Sequence, residues 1–196
     1  FTKMYYSLGY EDLPNFNDLQ GQGIFGRSAL LTVHHCIFGG EGNNSWRAIS
    51  TVRTNLDAKY NDIYDLVSGI LSVPAGASSI VIEENDFRVT LPDFAIGQGA
   101  YIINGAAQSA LIQIKNNNPI QIRGAGPGIL LKNNLSPQGT ESRRVSGNHI
   151  SHTRPFYQGI KVENSSNWIL DDNHILYSGF PTENNFTQRT RGIELT

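Results

Sequence analysis

The densest grouping of titratable side chains falls in two short stretches, RRVSGNHI (143–150) and WILDDNHI (168–175). One supplies Arg144 and His149, the other Asp171, Asp172 and His174. Hydrolysis of a glycosidic bond needs two carboxyl groups flanking it, one protonated and one ionised. Asp171, Asp172, Glu163 and Glu194 are the candidates. Asp171 and Asp172 cannot be taken as that pair, because adjacent residues on a strand point apart. A lyase acting on a uronate needs a cation against the substrate carboxylate and a base for the neighbouring proton. Lys161, Arg144, His149 and His174 offer those groups. Each also has a plainer role: Lys161–Glu194 and Lys132–Glu163 as cross-strand ion pairs, and the histidines as corner residues.

What positions these residues is a repeat. An octet of apolar, any, apolar, any, any, Asn, any, apolar recurs in IVIEENDF (80–87), IQIKNNNP (112–119), RRVSGNHI and WILDDNHI, with a loose fit at Arg143 and Pro119. A further copy, LTVHHCIF (31–38), carries Cys36 in place of the Asn. From Asn85 through Asn117 and Asn148 to Asn173 the steps are 32, 31 and 25 residues, a solenoid period. A second ladder, AYIING (100–105), PGILLKN (127–133), QGIKVEN (158–164) and RGIELT (191–196), advances with it. Alternating apolar and polar residues predict strands with one buried face, and the intervening Gly, Asn, Ser and Pro predict turns. Asn tolerates a left-handed corner, and its amide can donate to the Asn of the next coil. Stacking then gives outward rows: Ile102, Leu130, Lys161, Glu194; Asn104, Lys132, Glu163, Thr196; and His34, Glu83, Lys115, Ser146, Asp171. Just past the corner, Asp86, Asn118, His149 and His174 form another row, which makes the two histidines neighbours.

GIKVENSSNWILDDNHI (159–175), YIINGAAQSALIQIKNN (101–117) and the ILLKNN and RRVSGNHI segments resemble the right-handed parallel β-helix repeats of the pectin-lyase-like superfamily. The resemblance covers about Ser78 to Thr196, and extends weakly over Gly23 to Thr51. It implies an all-β, right-handed parallel β-helix and one of several roles: polysaccharide lyase, glycoside hydrolase, epimerase, tailspike or adhesin. VSGNHI with GIKVENSSNWILDDNHI resembles the coils of inulin fructotransferases, without a match to that family's catalytic carboxylates. The resemblance implies an extracellular, cell-surface or virion-surface protein that binds a polysaccharide or oligosaccharide and cleaves or rearranges it. It equally accommodates a non-catalytic scaffold such as a tail-fibre segment or adhesin, and either class forms homotrimers. Loops SHTRPFYQ (151–158) and YSGFPTENNFTQRTR (177–191) would wall a groove, with Arg154 and Tyr157 joining Lys161, Arg144 and His149 as sugar-binding residues.

Two segments interrupt the rhythm. Between Cys36 and Asn85 the step is 49 residues, and Leu56, Tyr60, Ile63, Val67 and Ile70 advance in fours and threes. With Thr54 and Asp57 as a capping-box-like start, this predicts an amphipathic helix over 54–71, inserted in or capping the solenoid. Residues 1–22 carry three Tyr, a Pro and several turn residues without periodicity, an irregular N-terminal segment.

The 196 residues, 39% hydrophobic, suffice for a single domain over 1–196 with a substantial core. Only 16% are charged and no Lys/Arg run occurs, which argues against nucleic acid. No apolar run reaches the roughly 20 residues of a membrane span. The unfinished strand RGIELT suggests that the chain is a fragment. The lone Cys36 excludes an internal disulfide, and His34-His35-Cys36 lacks further ligands at metal spacing, so neither metal nor other cofactor is expected. GAGPG (124–128) leads into a strand rather than a helix, and so is not a phosphate cradle.

Overall fold

A computed structural model of the chain describes residues 22–28, 30–39, 47–66, 68–73, 79–89, 101–104, 110–122, 127–134, 143–152, 158–177 and 192–196. Among them every regular element is a β-strand, and every strand pairing is parallel. The chain lays down three strands per turn. The first turn is β1 (Gln22–Arg27), β2 (Leu30–His34) and β3 (Ile37–Gly39), and the second β4 (Arg47–Val52), β5 (Asn55–Lys59) and β6 (Asp62–Tyr64). The third is β7 (Ser68–Val73), β8 (Ser79–Glu83) and β9 (Asp86–Val89), and the fourth β10 (Tyr101–Asn104), β11 (Leu111–Lys115) and β12 (Ile120–Ile122). The fifth is β13 (Ile129–Lys132), β14 (Arg143–Ser146) and β15 (His149–His152). The sixth is β16 (Ile160–Glu163), β17 (Ile169–Asp171) and β18 (His174–Tyr177), and β19 (Ile193–Leu195) begins a seventh.

Like strands stack on like. The first sheet runs β1-β4-β7-β10-β13-β16-β19, the second β2-β5-β8-β11-β14-β17, and the third β3-β6-β9-β12-β15-β18. The molecule is therefore a β-solenoid. Its core consists of the inward rows: Ile49, Ile70, Ile129 and Ile160 from the first sheet, Leu56, Ile80 and Ile112 with Ala58, Ile82, Ile114 and Val145 from the second, and Ile63, Phe87, Ile120 and Ile150 from the third. β-branched side chains repeat along these rows because each fits the pleat and packs on its copy in the next rung. Each such buried side chain contributes roughly 1.5–3 kcal/mol relative to exposure. Glycine precedes β13 and β16 for a steric reason: a Cβ on Gly128 would lie 2.7 Å from the Ile150 side chain and 2.8 Å from the Gly159 carbonyl oxygen.

The corner between the second and third sheets carries the repeated Asn. Asn61 donates its backbone N–H and its Nδ2 to Asn85 Oδ1, at 3.0 and 2.9 Å. Asn85 does the same to Asn117 (2.9 and 3.0 Å), Asn117 to Asn148 (3.2 and 2.9 Å), and Asn148 to Asn173 (3.2 and 2.9 Å). The other Nδ2 proton points back a turn, to the carbonyls of Val33, Ala58, Ile82, Ile114 and Val145 in succession. A polar ladder thus crosses the interior with its donors and acceptors matched. The residue before each ladder position, His35, Tyr60, Glu84, Asn116, Gly147 or Asp172, has φ between 52° and 65°.

The described residues of 54–71, all but Val67, do not form the expected helix. They are β5, β6 and most of β7, with corners between them. LDAKYNDI (56–63) is a full octet whose second apolar position is Ala58, and its Asn61 joins the ladder. The 49-residue step is thus two turns of 25 and 24 residues rather than an insertion. The spacing of sevens between Leu56, Ile63 and Ile70 mimics a helix because three successive strands, β5, β6 and β7, each bury one of them. Ladder hydrogen bonds to β2 and β8 on either side settle the conformation, overriding the local pattern. Thr54 is no helix cap, since its Oγ1 donates to the Val52 carbonyl at a buried corner. Beyond Gln22, which opens β1, the N-terminal segment lies outside the described residues.

Candidate functional site

Parallel register turns the strands of the second sheet into two outward rows, Thr32, Asp57, Val81, Gln113, Arg144, Ile169 and His34, Lys59, Glu83, Lys115, Ser146, Asp171. Ion pairs run along them. His34 Nε2 lies 3.2 Å from Asp57, Lys59 Nζ 3.5 Å from Asp57 and 3.3 Å from Glu83. Further along, Lys115 donates to Gln113 at 2.8 Å, and the Arg144 guanidinium grips both oxygens of Asp171. That grip holds the Asp171 carboxyl below the ordinary aspartate range. Burial pulls Lys59 down, but hydrogen bonding to Glu83 and the nearby Asp57 outweigh it and leave its pKa raised.

At the corner beside Asp171, His149 and His174 are register neighbours, with ring centroids 4.8 Å apart and planes 22° from parallel. His149 Nε2 is buried without a hydrogen-bond partner, while His174 is exposed. Asp172 is exposed on the same corner in a left-handed conformation, φ 52°. Asp171, Asp172, His149, His174 and Arg144 are therefore brought together at one edge. The row just past the corner is the expected one. Asp86, Asn118, His149 and His174 each donate their N–H to the carbonyl of the preceding turn's ladder Asn, and the chain carries one residue more, Pro119, between Asn118 and the strand that follows.

Glu163 and Glu194 lie elsewhere, on the outer side of the first sheet. Glu163 is held by Lys132 at 2.7 Å and Lys161 at 3.2 Å, and these contacts, Lys132 first, lower its pKa against the opposing effect of burial. Lys161 faces Glu194 in register, and Glu194 accepts from Gln158. The four candidate carboxylates therefore divide between two faces. Arg154 and Tyr157 lie outside the described residues, as do the central parts of the two loops expected to wall a groove.

Arg143, the loose position of its octet, faces inward and is fully buried. Its Nη1 donates to the Asn134 carbonyl at 2.6 Å, its guanidinium lies over Trp168 with the centroid 5.8 Å away, and burial lowers its pKa. Two features escaped the sequence reading: the His34–Asp57–Lys59–Glu83 chain, and the stack of His35 on Tyr60, 5.0 Å apart and 7° from parallel. Both depend on residues 55–63 being a turn, and the octet around Asn61 was the signal that could have revealed them. Among the described residues no three His, Cys, Asp or Glu side chains are grouped to hold a metal ion. Comparison with protein-family models, curated proteins and solved structures gives no match.

Proposed function

We propose that this protein is an extracellular carbohydrate-binding β-helix that lays a linear polysaccharide along the outer rows of its second sheet. The observation that carries the reading is the run of polar side chains from His34 to Asp171, repeated at rung spacing along one face. A glycan repeats its hydroxyl groups along one axis, and a solenoid repeats donors and acceptors along another, so the two can be matched over several rungs. Right-handed winding, the overwhelming preference of parallel crossovers, fits the pectin-lyase-like architecture.

Cleavage or rearrangement of the bound chain belongs, in this reading, to the corner where Asp172, His149 and His174 meet. Asp172 or His174 would act as acid or base, and Arg144 and Lys115 would meet a substrate carboxylate. A non-catalytic scaffold is the competing reading. Glu163 and Asp171 are each committed to cations, and the carboxylates are split between two faces, which favours it.

The test is affinity electrophoresis and calorimetry against neutral, uronic-acid and fructan polysaccharides, combined with detection of reducing ends, unsaturated products and cyclic products. Binding that is weakened by Lys59→Ala and Lys115→Ala supports the face. Turnover lost in Asp172→Ala or His174→Ala with binding retained assigns the chemistry to the corner. Binding without turnover selects the scaffold. No binding across the panel overturns the proposal.

A further inference from the structure

The second turn carries two exposed tyrosines, Tyr60 and Tyr64, at 46% and 40%. Tyr60, at the corner, already stacks one face on His35. Tyr64 stands in the outward row of the third sheet, with Gly39 on the rung before it and Arg88 on the rung after. Its ring is laid back over the preceding turn: a Cβ on Gly39 would lie 2.5 Å from Tyr64 Cζ and 2.6 Å from its Cε2 and Oη. Gly39 lies in β3 and has no left-handed φ, so its own backbone does not call for glycine. The space above it is what the tyrosine uses. The result is an aromatic ring lying along the sheet, with the side away from Gly39 open to solvent.

Polar groups continue the surface along the solenoid axis. Asp62, two residues before Tyr64, is exposed and in register with Asp86, and Asp65 is exposed at the corner that follows. Arg88, its side chain 51% exposed, directs Nε and Nη2 at Asp86, which leaves its Nη1 donors for another acceptor. A pyranose has an apolar C–H face that packs on an aromatic ring, and hydroxyl groups that donate to carboxylates and accept from a guanidinium. The balance of charge narrows the sugar. Asp62, Asp65 and Asp86 outnumber Arg88, so the patch repels a uronate and suits a neutral ring.

We propose that the outer face of β3, β6 and β9 is a binding site for a linear chain of neutral pyranose sugars. One sugar ring stacks on Tyr64 above Gly39. Its neighbours follow the two rungs from Gly39 to Arg88, roughly 10 Å, and are held through their hydroxyl groups by Asp62 and Arg88. The site lies on the third sheet, outside the row from His34 to Asp171 and distinct from the corner of His149 and His174, and it requires neither of them.

The test is an NMR titration of the intact protein with cellohexaose, mannohexaose and xylohexaose as neutral probes and hexagalacturonate as the anionic one. Saturable shifts of the Gly39, Tyr64 and Arg88 amides are expected with at least one neutral hexamer and not with hexagalacturonate. Tyr64→Ala should weaken that binding about tenfold or more, since it removes the stacking face. Gly39→Ala keeps the tyrosine but displaces its ring, and should weaken binding about threefold. Both positions are exposed, so circular dichroism should show an unchanged fold. Lys115→Ala, on the second sheet, should leave this binding as it is. The proposal is overturned if no neutral hexamer shifts those amides, if hexagalacturonate binds there more tightly, or if Tyr64→Ala and Gly39→Ala bind like the unaltered protein. Binding lost in Lys115→Ala but kept in Tyr64→Ala overturns it in favour of the second sheet alone. The reverse pattern upholds it and removes the second sheet from the binding of that sugar.

Discussion

Replacing Asn117 with Ala removes the middle rung of the ladder, and its cost follows from what is left behind. The Asn85 N–H and Nδ2–H lose their shared acceptor, at 2.9 and 3.0 Å, and the Ile82 carbonyl loses the Asn117 Nδ2. Asn85 and Asn117 are 1% and 0% exposed, so water does not replace these bonds without opening the corner. At about 1–3 kcal/mol for each buried group left unpaired, and with partial relaxation, the loss comes to about 3–5 kcal/mol. The direction of the ladder adds a sharper expectation. Asn173→Ala strips Asn148 of its acceptor at a half-buried end, and should cost about 1–2 kcal/mol. Cys36→Ala should be close to neutral, because among the described residues no amide depends on that side chain. Urea unfolding followed by circular dichroism, with the midpoints compared at constant slope, measures all three. A loss below about 1 kcal/mol for Asn117→Ala, or equal losses at the three positions, would refute the idea that the ladder is a load shared by buried, directional hydrogen bonds.

Two further outcomes follow from the geometry. Gly147, at φ 65° where five other turns carry larger residues, has Asn116 Oδ1 2.3 Å from where a Cβ would sit, so Gly147→Ala should destabilise by about 1–2 kcal/mol in thermal unfolding. Carboxyl NMR titration should place Glu163 and Asp171 below ordinary carboxylates, with Glu163 moving up in Lys132→Ala and Asp171 in Arg144→Ala. Because both folded pKa values are depressed, the stability these groups contribute is present above the unfolded-state pKa of about 4 and is lost as pH falls through the lower folded values.

The parts of the molecule written as local periodicity were legible in the sequence. The octets at 80–87, 112–119, 143–150 and 168–175 placed the corner Asn residues, the parallel stacking, and the meeting of His149 with His174, because a solenoid repeats one short pattern in a fixed register. The turn at 55–63 was hidden by an alanine at an apolar position and by a spacing that also suits a helix. Only hydrogen bonds to the turns on either side chose between strand and helix there. Side-chain partnerships were likewise decided in three dimensions. Register alone put Lys161 opposite Glu194 and Lys132 opposite Glu163, but the lengths and rotamers of the side chains brought both lysines onto Glu163. The burial of Arg143 and its approach to Trp168 have no local signature, since one charged residue at an apolar position reads as a misfit until its partners are known. Sequence by itself determined the repeat, and with it the rows. Tertiary structure decided which neighbours pair, because pairing depends on distances across turns that are 24 to 32 residues apart along the chain and one rung apart in space.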